Sequence, residues 1–282
     1  MKRVIYSLYV DVPASEHYGD SKNKYDTVNK ANVTINAFKN HYDRLIDTKI
    51  TYAEHCKADF IMFEYDDQYK TFEQNFLKDY PDFTGYEIIN FYKIHLLYEL
   101  SKKYDEVLYL DFDVIPFTNE SFFNSWDLSK GICVYSNNEH VIKNVRVNHS
   151  IRSPSAKYYN CQAMLLEYGF SSKNDVINTG IIGARKEDII KLDFFGKFKD
   201  TIDLMTKLRN DTSGLYPKNI IDMFRYDNET IFSFKREVNN IKIQWLDNKW
   251  HYFLDKQKFI PKDTKLVHCI CKDFDLVWRN YA

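Results

Sequence analysis

Apolar residues fall into short continuous runs separated by stretches where they recur at helical intervals. Residues 2–10 read as a first strand, buried on at least one face and ended by Asp11. Over 32–56, Ile35, Phe38, Tyr42, Leu45 and Ile46 keep a helical spacing that predicts one or two helices. The run 58–64 suits a second core strand. From Glu87 to Tyr104, Ile88, Phe91, Ile94, Leu97, Tyr98 and Leu100 share one helical face. The near-continuous hydrophobic run 106–110 then reads as a third strand. Strand, helix, strand, helix, strand is the order of a parallel, doubly wound α/β sheet.

Further strands are predicted at 131–135, 176–184, 241–246 and 265–271, and helices at 186–209 and 217–236. The polar stretch 137–173 holds few periodic segments and reads as a binding loop, because connections of that length in compact enzymes seldom serve as spacers. No shift in composition marks a linker.

Composition narrows the partners. The chain has 282 residues, 44% of them hydrophobic, which suffices for a sizeable core. Its 39 basic and 40 acidic residues are interspersed and leave a formal charge of −1, so bulk charge gives no support for a nucleic-acid partner. No run of about 18 apolar residues encodes a membrane span. The N-terminal apolar run is too short and interrupted for a signal peptide, so a cytoplasmic protein is expected. The five cysteines show no framework spacing and read as reduced thiols; Cys269 and Cys271 form a C-x-C pair with no partner set for zinc.

Candidate chemistry begins where the third strand ends. Ligands of open α/β sheets bind outside the carboxyl ends of the strands, and Asp111-Phe112-Asp113 stands at such an end. On an extended chain residues i and i+2 point the same way, so both carboxylates face one ion. Two hard oxygen donors suit Mg²⁺ or Mn²⁺ alongside phosphate oxygens; the plainer reading is a pair of solvated loop acids. Lys93, on the preceding helix, is placed to neutralise phosphate or to hold a sugar hydroxyl, or is a solvated helix residue. In Asn178-Thr179-Gly180-Ile181-Ile182-Gly183, glycines within a strand predict a close approach by backbone or ligand. The Asn178 amide can both donate to and accept from a hydroxyl-rich ligand. The acids of Asp227-Asn228-Glu229 read by default as a helix cap, or else as groups touching an acceptor. His268 ends the last apolar strand with Lys272 four residues on. It reads as a core histidine, or as a third ligand beside the two carboxylates, with Lys272 pairing to a diphosphate.

In order along the chain these elements resemble the nucleotide-sugar glycosyltransferases of the GT-A fold, in particular the glycogenin-like and lipopolysaccharide galactosyltransferase-like group, glycosyltransferase family 8. The resemblance rests on the strand ending in Tyr9-Val10, the Lys93 helix leading into Tyr109-Leu110-Asp111-Phe112-Asp113, the Asn178-Thr179-Gly180 element, Asp227-Asn228-Glu229 and Val267-His268. It implies a doubly wound, Rossmann-like mixed sheet flanked by helices in a single domain, 1–282, with a nucleotide-binding half (1–117), an acceptor half (118–265) and a metal- and diphosphate-binding tail (266–282). It implies Mn²⁺ or Mg²⁺ held by Asp111, Asp113 and His268. Tyr9, Val10, Lys93, Phe112 and Lys272, with the two aspartates, would contact a UDP-sugar donor. Asn178, Asp227 and Lys93 would line the reacting sugar, which passes to a glycan or glycoprotein acceptor with retention of configuration. In the tail this chain departs from the family: Cys271 stands at its glycine position, and Lys272 comes two residues before its lysine.

Three other functions are compatible with paired acids and many aromatic residues. An inverting transferase would use Asp222, Asp227 or Glu229 as base. A nucleotidyltransferase would show a glycine-rich basic loop after the first strand, where Tyr9-Val10-Asp11-Val12-Pro13 stands instead. A carbohydrate-binding module would need aromatic platforms but not the ordered acidic motif. A setting in a bacterium or a large virus fits a leaderless enzyme. The sugar and the oligomeric state are not encoded in any motif.

Overall fold

The computed structural model describes residues 1–13, 28–142, 153–222, 224–255 and 259–281. The order of elements is β1 (Arg3–Leu8), α1 (Val28–Cys56), β2 (Asp59–Phe63), α2 (Asp67–Asp79), α3 (Gly85–Ser101), β3 (Glu106–Leu110), β4 (Val114–Pro116), α4 (Phe122–Ser125), β5 (Ile132–Ser136), α5 (Asn138–Ile142), α6 (Ser153–Glu167), β6 (Ile177–Arg185), α7 (Lys186–Leu192), α8 (Phe198–Arg209), α9 (Lys218–Ile221), α10 (Asn228–Val238), β7 (Ile243–Trp245), β8 (Tyr252–Phe253), β9 (Leu266–His268) and α11 (Phe274–Asn280).

Six strands form one sheet in the order β2-β1-β3-β6-β5-β7. β1 runs parallel to β2 and β3, as the βαβ pattern predicts. The sheet is not parallel throughout: β6 is antiparallel to both β3 and β5, so the mixed sheet implied by the family resemblance replaces the parallel one read from element order. Strand direction leaves no trace in hydrophobic periodicity, which reports burial alone.

Alternation along the strands feeds two cores. Val4, Tyr6, Val107 and Tyr109 point into a large cluster with α2, α3, α6, α8 and α10. Ile5, Leu108 and Leu110 point the other way, against Tyr52 and Ala53 of α1 and against Phe122 and Trp250. Helices thus cover both faces, and β3, buried at every position, is the central axis. The α3 helix starts on a capping box in which Thr84 and Glu87 bond one another's backbone N–H, fixing where its first turn begins.

A second, three-stranded sheet, β4-β9-β8, stands beyond the carboxyl end of β3. Its pairing sets Val114 opposite His268 and so ties the acidic segment to the C-terminal tail.

Within the stretch expected as a loop, residues 138–142 and 153–167 are helices; residues 143–152 lie outside those described. Helix α6 buries Ser155 and Asn160 among Ala156, Cys161 and Met164, and polar residues on the buried face hide the helical period. The single helix expected over 186–209 is broken between α7 and α8, where Asp193 and Lys197 adopt left-handed backbone (φ 45° and 49°). Among the described residues no helix is long and apolar enough to cross a membrane.

Candidate active site

The main chain leaves β3 under tight control. Ser7 Oγ donates to the Leu110 carbonyl (2.7 Å) and the Asp111 N–H donates to the Gly180 carbonyl (2.7 Å). The Val114 N–H then returns to the Asp111 carbonyl (2.9 Å), closing a turn over 111–114. The two carboxylates therefore converge across a turn, not along an extended strand as the i, i+2 spacing suggests. The Cys269 N–H bonds the Asp113 carbonyl (2.9 Å), which brings the tail alongside.

The side chains of Asp111, Asp113 and His268 meet there, with one ligand atom from each lying within 4.8 Å of the others. His268 Nε2 stands 3.4 Å from Asp113 Oδ2 and 3.8 Å from Asp111 Oδ2. Two ligands about 2.1 Å from one ion at right angles stand about 3 Å apart, so small side-chain adjustments suffice for shared coordination. Two carboxylates and an imidazole form a mixed oxygen and nitrogen donor set that can hold a divalent cation. The other imidazole nitrogen, Nδ1, lies 2.9 Å from Nε2 of His251, the kind of outer contact that orients a ligating histidine. His251 is fully buried, and burial together with His268 holds its pKa well below the usual histidine range, against the opposing pull of Asp113. Whichever nitrogen carries the shared proton, this contact occupies His268 Nδ1 and leaves Nε2 turned toward the two carboxylates. Gly180 completes the seat: a Cβ there would lie 2.5 Å from His268 Cε1. The donor set and its supports fit a divalent cation.

Basic groups ring the acids. The Lys272 ammonium pairs with Asp113, and Lys93 Nζ stands 3.4 Å from Asp111 Oδ1, which also accepts from the Tyr109 hydroxyl (2.6 Å). Burial raises the Asp113 pKa, but Lys272 and His268 outweigh it and hold the carboxyl far below its usual range. Lys272 reaches Asp113 despite its early place in the tail because the chain turns back sharply. Its N–H bonds the Cys269 carbonyl (3.0 Å) and its own backbone is left-handed (φ 58°). Cys269 and Cys271 are free thiols with sulfurs 4.0 Å apart.

A second polar cluster lies on β6 and the start of α10. Glu229 Oε1 accepts from Asn178 Nδ2 (3.1 Å) and the Thr179 N–H (2.9 Å), while Oε2 pairs with Lys157 of α6. Burial raises the Glu229 pKa, yet Lys157 and then Lys93 bring it below the usual range. Asn178 Oδ1 accepts from the Gly180 N–H (3.0 Å), so its amide links the two clusters. Asp227 caps α10, accepting from the N–H groups of Glu229 (3.0 Å) and Thr230 (2.9 Å), which is the default reading of that acid. Asp222 is exposed.

Tyr9, just beyond β1, stacks on Phe112 (ring centroids 4.9 Å apart), and its buried hydroxyl has no hydrogen-bond partner among the described residues. Val10 is buried beside it.

No family model matches this chain, and no curated protein matches it. Solved structures do. A glycosyltransferase involved in glycosylation of the major capsid of PBCV-1 is 13% identical, over 99% of this chain and 98% of that one, with a TM-score of 0.47. The galactosyltransferase LgtC, in complex with donor and acceptor sugar analogs, is 11% identical over 95% of this chain and 87% of that one (TM-score 0.45). Mouse xyloside xylosyltransferase 1 is 9% identical over 96% and 98% (TM-score 0.45).

The structure gathers Asp111, Asp113, His268, Lys93 and Lys272 at the carboxyl end of β3, with Asn178 behind them and Asp227 at the base of α10. His251, Lys157 and Lys49 belong to none of the motifs that mark the other site residues in the sequence. Lys49 carries a signal that was legible: with Leu45, Tyr52 and Cys56 it keeps the apolar register of α1, and all four are buried.

Proposed function

We propose that the chain is a metal-dependent glycosyltransferase that moves a sugar from a UDP-sugar to a hydroxyl of a glycan or protein-linked acceptor, with retention of configuration. The observation that carries this reading is the convergence of Asp111, Asp113 and His268 with two lysines at the carboxyl end of β3, where an α/β sheet binds its ligands.

Asp111, Asp113 and His268 would hold the cation. When bound, it neutralises charge on the diphosphate as the glycosidic bond to UDP breaks. Lys272 supplies a further positive charge to the diphosphate, and Lys93 reaches donor hydroxyl or phosphate from the floor of the site. The bond broken is from the anomeric carbon to the diphosphate oxygen, and the bond formed is to the acceptor oxygen. The acceptor's proton passes to the departing diphosphate on the same face. The anomeric carbon develops oxocarbenium character, which the buried, ionised Glu229 beside Asn178 stabilises. The carboxylates an inverting route would need are engaged elsewhere or exposed: Asp227 in capping, Glu229 with Lys157, and Asp222 at the surface. In this reading 1–117 holds the nucleotide, 118–265 meets the acceptor and 266–282 closes the site.

The test is release of UDP from a panel of UDP-sugars with and without Mn²⁺. Turnover that needs the ion, and that Asp113→Asn abolishes in a folded protein, is the expected result. Unchanged turnover in Asp113→Asn, or no release from any UDP-sugar, refutes the reading.

A further inference from the structure

Lys49 is a lysine where a helix should bury an apolar side chain. It lies in α1 with no exposed surface, and nothing in the chemistry above uses it. An ammonium so placed costs several kcal/mol unless its hydrogens are satisfied, so its partners indicate why it is tolerated. Nζ donates to the Phe112 carbonyl (2.9 Å) and, one turn back in its own helix, to the Leu45 carbonyl (3.3 Å). It also lies 5.2 Å from the centroid of the Phe112 ring. No other donor to the Phe112 carbonyl is present among the described residues.

Phe112 is the middle residue of the turn whose flanking residues carry both carboxylates. Its carbonyl is pulled toward α1 by Lys49, and its ring is held by Tyr9, Phe38 and Tyr42. With the middle residue drawn into the core, Asp111 and Asp113 are left facing His268. We propose that Lys49 is a positioning residue that preorganises the Asp111–Asp113 turn for a divalent cation. This rests on the metal reading above and adds a part of this chain that builds the site. Burial pulls the Lys49 pKa down to about 7, against the opposing pull of Asp113 and Asp111, and a neutral amine still donates to carbonyls without repelling a cation.

Positioning and plain charge make opposite forecasts. A lysine acting only as a nearby positive charge would weaken cation binding, so its removal would tighten it. A lysine that holds the turn would, when lost, free the Phe112 carbonyl to swing and weaken binding. The experiment is calorimetric titration of Mn²⁺ alone into wild type and Lys49→Met, a variant of similar length that deletes the buried amine. The expected result is at least a tenfold loss of Mn²⁺ affinity in a protein with wild-type near-UV circular dichroism. Affinity within twofold of wild type, or tighter, overturns the proposal. If the Met variant does not fold, Lys49→Leu is read by the same criterion. Failure of wild type itself to bind Mn²⁺ removes the metal reading along with this one, and so is distinguishable from failure of Lys49 alone.

Discussion

The fully buried imidazole of His251 meets that of His268, which is 6% exposed, with Nε2 to Nδ1 at 2.9 Å. His268 thus has one nitrogen toward the acids and the other tied to the protein, while His251 Nδ1 has no partner among the described residues. Changing His251 to Phe, a ring its neighbours Tyr135 and Phe253 accommodate, removes the tie. Outer-contact losses of this type cost about 10–100-fold in metal affinity. Mn²⁺ titration should show that drop. The melting temperature should fall modestly, since one buried nitrogen without a partner, His251 Nδ1, is exchanged for another, His268 Nδ1, and one hydrogen bond is lost. Wild-type affinity in the Phe variant would mean that His251 does not orient the ligand.

Gly180 is the strand position that lets His268 sit where it does. Alanine would place its Cβ 2.5 Å from His268 Cε1 and 2.8 Å from Nδ1, and both are ring atoms held by His251. One of the two residues must move. Overpacking of this kind costs about 1–3 kcal/mol, and here the ring that gives way is a ligand. Gly180→Ala should therefore lose both stability in urea and Mn²⁺ affinity. Gly183→Ala, which strikes Phe122, should lose stability while a folded fraction keeps wild-type Mn²⁺ affinity.

What could be read from the sequence divides along physical lines. The run ending in Asp111 and the glycines of 178–183 were legible because local pattern carries burial and close approach. The direction of β6 was not, nor was α6, whose buried Ser155 and Asn160 interrupt the apolar period. Within the site, Asp111 and Asp113 announced themselves as adjacent acids. His251 and Lys157 gave no signal, since their partners, His268 and Glu229, are distant in sequence and meet them only through tertiary packing. Lys272 comes two residues before the position the resemblance implies for it, and a left-handed turn rather than spacing brings it to Asp113.

Lys272 should affect cation and nucleotide in opposite directions. Burial lowers its pKa, but Asp113 outweighs this and raises it, so it is fully charged at neutral pH and competes with a cation for the same carboxylate. Lys272→Met should tighten binding of Mn²⁺ alone and weaken binding of UDP in the presence of saturating Mn²⁺. Two calorimetric titrations decide it. A loss in both would mean that Lys272 chiefly shapes the site.

The Lys157–Glu229 pair separates stability from catalysis. The Glu229 side chain is 9% exposed and that of Lys157 24%, so removing Lys157 leaves a largely buried carboxylate uncompensated. Lys157→Met should cost up to about 3–5 kcal/mol, less for the exposed part of the lysine. Adding Glu229→Gln should restore much of that stability, because the buried charge goes too. Activity should not return: if Glu229 stabilises the reacting sugar, kcat stays low in the double variant with donor KM little changed. Recovery of kcat along with stability would assign Glu229 a structural role only.

Lys49 links stability to pH with a definite sign. Burial lowers its pKa in the folded state from 10.5 to about 7, while the unfolded chain keeps the ordinary value. Between those values the unfolded chain binds more protons than the folded one, so this group makes stability rise with pH across that window. Below about 7 both states are protonated and the penalty is constant. The Asp113 carboxylate facing it, held well below its usual range, stays ionised throughout the window and adds no slope there. Subtracting the Lys49→Met variant cancels most other groups. The stability of wild type minus that of Lys49→Met should increase from pH 7.5 to 9.5 by up to about 1.4 kcal/mol per pH unit. Urea melts of both proteins at the two pH values measure it. A difference that stays flat or falls as pH rises would show that Lys49 keeps its proton in the folded state as firmly as in the unfolded one.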